Sequence, residues 1–487
     1  MLFNSYIFIF GFLPATLTIF FQLHRFRLSR MAVVSLTIAS LFFYGYWNLN
    51  YLFLLIFSII SNYYIGEYIK NLNNKNKSKK LISILGILYN LIIISYFKYI
   101  NFFVTSWNQF FLSEWDKFSI ILPLGISFYT FTQIAYLVDI YQGKVRDEDY
   151  SLLTFTLFIS FFPQLIAGPI LRHNEIIPQF SRLKNFTLSY KNLILGLFLF
   201  ILGLAKKVLI ADKLALWVSP IFDNSNMMTF IESWAGALGY TFQLYFDFSG
   251  YSDMAIGLGL MFNLTLPINF NSPYKSISII EFWRRWHITL SNFLRDYLYI
   301  PLGGNRLGET RRYLNLLITM LLGGLWHGAG WTFVLWGGMQ GIYLSINHVW
   351  NKLNISLPKL FCWMTTFIAT VFSWVLFRSS SLENAITFWK TMLGVNGIYL
   401  TEKYSVYFPW LSNLGIQFQE NFPYLDAPFT KINYILILLF CICFFPNSQE
   451  IMGYFKPNIV WLTMGVILTC YCLLSLNQVS EFIYFQF

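Results

Sequence analysis

Leu321-Leu322-Gly323-Gly324-Leu325-Trp326-His327-Gly328-Ala329-Gly330-Trp331 places one imidazole among glycines and tryptophans, inside an apolar run over 313–348. A run of that length and character belongs in a bilayer, where a span needs about 20 apolar residues. The chain has only five histidines, and an ionisable side chain at membrane depth is costly, so such a residue marks function by default. The plainer reading is a neutral histidine satisfied by a neighbouring helix or an interfacial headgroup.

The rest of the chain has the same character. Of its 487 residues, 56% are apolar and 11% charged, against about 25% charged in soluble domains. Aromatics reach 21%, with 53 Phe and 31 Tyr, more aromatic surface than a soluble fold can hide. Apolar stretches recur from end to end. The expected fold is an all-α polytopic membrane protein of roughly ten to twelve transmembrane helices plus re-entrant segments. It reads as a single integral domain over 1–487, with its core at 119–378 and a C-terminal tail at 478–487. The first apolar stretch, Ile7 to Leu23, lacks a basic region before it and a small-residue cleavage site after it, and reads as the first span rather than a signal peptide.

Net charge is +11, and the basic residues lie in short clusters between apolar runs. No basic face on a soluble domain is visible, which excludes nucleic acid as a partner. Arg25, Arg27 and Arg30 follow the first apolar segment, and Lys70, Lys75, Lys77, Lys79 and Lys80 follow the third. Both loops are expected in the cytoplasm, and the N-terminus outside. The five cysteines form no convincing metal or disulfide set: the two C-x-C pairs lack nearby His or acidic partners, so they read as core packing.

Residues 243–306 are polar for a membrane chain. They hold Gln243, Asp247, Asp253, Asn263, Asn269, Asn271, Glu281, Arg284, Arg285, His287, Asn292, Arg295 and Asp296. An interfacial loop of snorkelling Arg and belt Trp explains part of this. Acids, amides and histidine spread over that distance point instead to a half-buried polar cavity. Glycines around His327 serve either close helix approach, as in Gly324-x-x-x-Gly328, or access of a substrate to the imidazole.

At His287 and His327 the sequence resembles the membrane-bound O-acyltransferase family, in particular its bacterial alginate and peptidoglycan O-acetyltransferase branch. The matching stretches are Leu122–Tyr129, Phe162–Pro169, Gln243–Ala255, Glu281–His287 (Glu-Phe-Trp-Arg-Arg-Trp-His), Leu294–Asn305 and Gly323–Gly328; Arg378, in Phe372–Arg378, also fits. The resemblance implies helices around a central funnel and tunnel with an inner-leaflet entrance. It also implies that an acyl group is taken from a cytoplasmic thioester and delivered outside. His327 matches the family's catalytic histidine and His287 a second position, often asparagine elsewhere. The last residues, Phe482 to Phe487, resemble a C-terminal motif in which a tyrosine, here Tyr484, is thought to carry the acyl group; the alternative is an aromatic interfacial anchor.

These readings give a mechanism to test. His327 serves as base towards Tyr484 or an acceptor hydroxyl, and His287 orients the donor or stabilises the oxyanion. Trp283, Arg284, Arg285 and Asn292 are the candidates for holding acetyl-CoA, the expected donor. No permanently bound cofactor and no metal is expected. The implied partners are acetyl-CoA, a separate extracytoplasmic O-acetyltransferase, a surface polysaccharide as final acceptor, and the lipids of the bacterial cytoplasmic (inner) membrane. Transfer of D-alanyl or another small acyl group to an envelope polymer is the rival enzyme reading. A transporter in which both histidines only line a polar path is the rival of another class.

Overall fold

A computed structural model describes residues 1–73, 77–145, 150–224, 228–395, 397–420 and 422–476. Tyr484 and the tail at 478–487, like Lys75, lie outside the described residues. The described chain is almost entirely helical; its one sheet is two short parallel strands, Tyr399–Thr401 and Gln417–Gln419, paired Tyr399 to Gln417.

The chain divides into two compact units that alternate along the sequence. One comprises Met1–Leu204, Tyr251–Asn269 and Pro457–Leu468. It holds α1 (Leu13–Arg25), α2 (Ser29–Gly45), α3 (Leu49–Asn71), α4 (Lys77–Ile94), α5 (Ile100–Phe111), α6 (Ile126–Tyr141), α7 (Leu152–Ser160), α8 (Phe162–Leu165), α9 (His173–Phe180) and α10 (Tyr190–Ala205). Its aromatic core joins Phe3, Phe8, Phe43 and Phe162, with Tyr251 stacked on Phe3 at 4.8 Å. Buried amides tie its spans together: Asn62 of α3 exchanges hydrogen bonds with Asn90 of α4 at 2.6 and 3.1 Å, and donates to Gln133 of α6 at 3.0 Å. Such interhelical bonds are the natural glue where no hydrophobic effect separates helix from lipid.

The other unit comprises Ala205–Gly250, Phe270–Lys456 and Thr469–Phe487. It contains α11 (Asp212–Asp223), the first part of α12 (Phe230–Met261), α13 (Ile279–Arg285), α14 (Ile288–Leu294), α15 (Glu309–His327), α16 (Trp331–Lys352), α17 (Lys359–Arg378), α18 (Leu382–Met392), α19 (Pro428–Phe444) and α20 (Ser448–Tyr454). The buried carboxylate of Glu232 accepts from the backbone N–H groups of Thr229 and Tyr424, fixing the start of α12 to the loop region that precedes α19.

Among the described residues, five helical stretches are long and apolar enough to cross a membrane: Ile7–Arg25, Leu49–Asn71, Lys77–Phe111, Tyr190–Asp223 and Lys359–Arg378. A bent pair, Pro428–Phe444 with Ser448–Tyr454, makes a sixth if taken as one span, and α2 and α21 (Ile459–Ser475) are apolar but shorter. That is fewer than the ten to twelve expected from apolar stretches. The long helices α12 and α15 carry Glu232, Asp247 and Asp253, and Glu309, Arg311 and Arg312, respectively. Helix α12 is buried over most of its length, so its sequence is answerable to protein neighbours rather than to lipid, and the buried positions of α15 lie at and beyond Asn315.

Candidate active site

Two histidines meet because three chain segments converge on them. The sequence Ser278-Ile279-Ile280-Glu281 starts α13 with a cap: Ser278 Oγ accepts from the Glu281 N–H at 3.1 Å, and the Glu281 carboxylate accepts from the Ile277 N–H at 2.9 Å. The helix ends after two turns. Trp286 is extended and His287 turns left-handed, with φ 41° and ψ 55°. A non-glycine residue there is uncommon, although histidine tolerates it better than most. The turn drives the His287 side chain into the interior, where it has no solvent exposure.

His327 is the last residue of α15 and is 4% exposed. Its ring centroid lies 6.3 Å from that of His287. Aromatic side chains enclose both. Phe248 meets His287 edge-on at 4.8 Å, while Trp326, Trp336 and Phe377 lie 5.0, 5.1 and 5.4 Å from His327. Trp374 stacks on Trp336 at 5.5 Å. Polar atoms within this wall are few. The Trp283 indole donates to Gln340 at 3.1 Å, and Gln340 in turn donates to Ser373 at 2.9 Å. The Trp336 Nε1–H is buried and has no hydrogen-bond partner among the described residues. A buried donor left in that condition costs free energy.

The glycines beside His327 are chiefly a packing device. A Cβ on Gly337 would sit 2.1 Å from the Met320 carbonyl oxygen, and one on Gly324 would sit 2.2 Å from that of Phe333. Backbone meets backbone between α15 and α16, and only glycine permits it. Close approach therefore accounts for these positions, and the close packing in turn sets His327 and Trp336 side by side.

Beneath Phe248 lies an ion cluster that no local pattern announces. Lys207, in a π-helical turn at Lys206–Ala211, reaches Asp212 at 2.6 Å and Asp247 at 2.7 Å, all three side chains being almost wholly buried. Two carboxylates on one ammonium form a strongly held knot, and Asp247 is the residue before the phenylalanine that packs on His287.

A family model described as MBOAT, the membrane-bound O-acyltransferase family, matches residues 43–382. The chain belongs to the membrane-bound O-acyltransferase family. The chain is 42% identical to a peptidoglycan O-acetyltransferase of Helicobacter pylori, over all of this chain and 98% of that one. It is 42% identical to a probable alginate O-acetylase AlgI of Pseudomonas aeruginosa, over 82% of this chain and 76% of that one. A teichoic acid D-alanyltransferase of Streptococcus thermophilus is 28% identical over 50% of this chain and 60% of its own. This membrane-bound O-acyltransferase is thus an enzyme with several apolar helices of spanning character, and the transporter reading falls away.

The remaining candidates fare differently in this acyltransferase. Trp283 is buried in the wall and committed to Gln340. Arg285 pairs with Glu281 at 2.8 Å and donates to the Asn271 carbonyl at 3.2 Å, so its guanidinium already holds the α13 turn together. Arg284 is exposed, and Asn292 is half-buried on α14. The polar stretch 243–306 is mixed: Asp247 and His287 are buried, whereas Arg284 and Arg295 face outward. Trp336, Gln340, Ser373 and Lys207 also line or underlie this enclosure, outside the motifs that single out the two histidines. Only Trp336 carried a usable signal, being an indole nine residues beyond His327 on the neighbouring helix.

Proposed function

We propose that this acyltransferase takes an acetyl group from a cytoplasmic thioester, with acetyl-CoA as donor, and passes it across the bacterial inner membrane for O-acetylation of an extracytoplasmic polysaccharide. The observation that carries the reading is the meeting of His287 and His327 within one aromatic enclosure, 6.3 Å apart. Peptidoglycan is the favoured acceptor class, since the relative that matches the whole chain carries that substrate in its name; alginate and other surface glycans follow.

The chemistry runs as a direct acyl transfer. A hydroxyl oxygen attacks the thioester carbonyl carbon while His327 takes the hydroxyl proton. The C–O bond forms, the carbonyl becomes an oxyanion, and donors preorganised around that oxygen lower the barrier. A neutral imidazole at His287 offers one donor and one acceptor, and the unpartnered Trp336 indole is a second donor beside His327. Collapse of the intermediate breaks the C–S bond, and the thiolate recovers the proton from the His327 imidazolium. The enclosing aromatics exclude water, which would otherwise hydrolyse the thioester.

Tyr484 is the proposed first acceptor, with a separate extracytoplasmic transferase completing delivery. Arg284 and Asn292 are the candidates that face the donor. A funnel and tunnel formed by ten to twelve crossings, including helices such as α12 and α15, is the architecture this reading requires. Transfer of D-alanine to a teichoic-acid-like polymer is the second reading, supported by the 28% identical relative. Mass spectrometry of surface glycans from cells with and without the protein separates them: ester-linked acetyl that disappears with the protein supports the proposal. Loss of D-alanyl ester alone points to the second reading, and unchanged glycans contradict both.

A further inference from the structure

Away from the histidine pair, the ends of α15 and α16 gather basic groups with little to neutralise them. Arg312, in the first turn of α15, donates to the His348 imidazole, 2.6 Å from Nδ1. Arg284 and Lys352 both lie within electrostatic reach of that imidazole. Among the described residues, the only carboxylate paired into this group is Glu309, which Lys352 holds. The Arg312 Nε–H is buried and has no acceptor among the described residues. Helix polarity adds to the strain at Arg312, because the first turn of a helix favours anions and disfavours cations, whereas Lys352 sits in the last turn of α16. The group lacks one thing: an anion with several oxygens.

A second feature lies along the same helix. A crevice of about 300 Å³ opens between α16, α17 and the start of α13. Ile277, Ile346, Trp350, Leu357, Phe361 and Cys362 are among its lining residues. Ile346 and Phe361 are more than half exposed, which in a membrane protein means exposed to lipid. Asn347 of the crevice and His348 of the basic group are consecutive residues of α16. The Asn347 side chain accepts from the Ile280 N–H at 3.3 Å, tying α13 to the same turn.

We infer that this is a binding site for an anionic phospholipid, with an acyl chain in the α16–α17 crevice and the phosphate on Arg312, His348 and Lys352. The crevice supplies apolar contact and the basic cluster supplies the charge selectivity. Neither half alone distinguishes a specific lipid from bulk bilayer; their adjacency on one helix does. The phosphate chemistry is shared with a nucleotide-bearing donor, so the test must separate the two. The inference does not depend on which polymer is acylated.

Cys362, lining the crevice, is a built-in reporter. The full chain, purified in neutral detergent, is treated with a maleimide, and labelling is read on the Cys362 peptide by mass spectrometry. Phosphatidylglycerol is expected to slow labelling, while phosphatidylcholine at the same concentration leaves it unchanged. Arg312→Gln with Lys352→Gln should raise the phosphatidylglycerol needed for half-protection roughly thirtyfold. Lys352→Gln alone, at a partly exposed side chain that does not threaten folding, should raise it about fivefold. Equal protection by both lipids, or no shift in either variant, overturns the inference. Protection by 3′,5′-ADP in place of phosphatidylglycerol also overturns it and assigns the basic cluster to the acyl donor.

Discussion

His287 makes two separable demands on its position. The backbone is left-handed there, and the ring sits against Phe248 and near His327. Asparagine meets the first demand, since it visits that region readily, and keeps a hydrogen-bond donor without basicity near neutral pH. Alanine fails both. Glycine meets only the backbone demand. Activity is therefore expected in the order Asn above Gly and Ala, measured as acyl transfer per unit of membrane-inserted protein; Asn as inactive as Gly would mean the imidazole does more than orient. Tyr484 poses the opposite problem, as a residue whose role comes from its motif alone. Tyr484→Phe keeps the apolar ring and removes only the nucleophile. Loss of acylation with normal protein level, and loss of a labelled acetyl group on the C-terminal peptide, is the expected result. Full activity would reduce the tail to an anchor and leave His327 acting on the incoming acceptor.

At the level of elements, α15 and α16 act as one piece. Gly337→Ala would force a Cβ onto the Met320 carbonyl, a backbone group that cannot turn aside. Overpacking of this kind costs about 1–3 kcal/mol, and here it would also separate His327 from Trp336. A lowered melting temperature in detergent together with impaired acyl transfer is expected; a variant with unaltered melting would show the interface to be slack. The sequence made the helical membrane character legible, because apolar length is a local property, and its two histidine motifs mark residues whose rings the fold brings to 6.3 Å. The purpose of the glycines was not legible, since packing and substrate access demand the same residue. Nor was the Lys207 knot: Asp247 lies forty residues further on, and no periodicity connects them. The number of spans is harder to read, because an apolar stretch facing protein and one facing lipid look alike over short windows, while α12 buries the charged residues Glu232, Asp247 and Asp253.

For the whole molecule, orientation and chemistry have to agree. The basic loops after the first and third apolar segments predict an N-terminus outside, and the proposed direction of transfer has a cytoplasmic thioester reaching the histidines from the other side. Single cysteines placed in the 67–80 loop should resist an impermeant thiol reagent in intact cells and react after permeabilisation; labelling from outside would invert the topology and with it the direction of transfer. The central claim is that His327 is the base of the acyl transfer. Its most direct test is the ester-linked acyl content of the surface glycan in cells whose only copy is His327→Ala, with membrane insertion checked in parallel. The account predicts a fall of about a hundred- to ten-thousand-fold in transfer rate, seen as loss of the acyl ester while the protein stays in the membrane. Wild-type acyl content in that variant would contradict it.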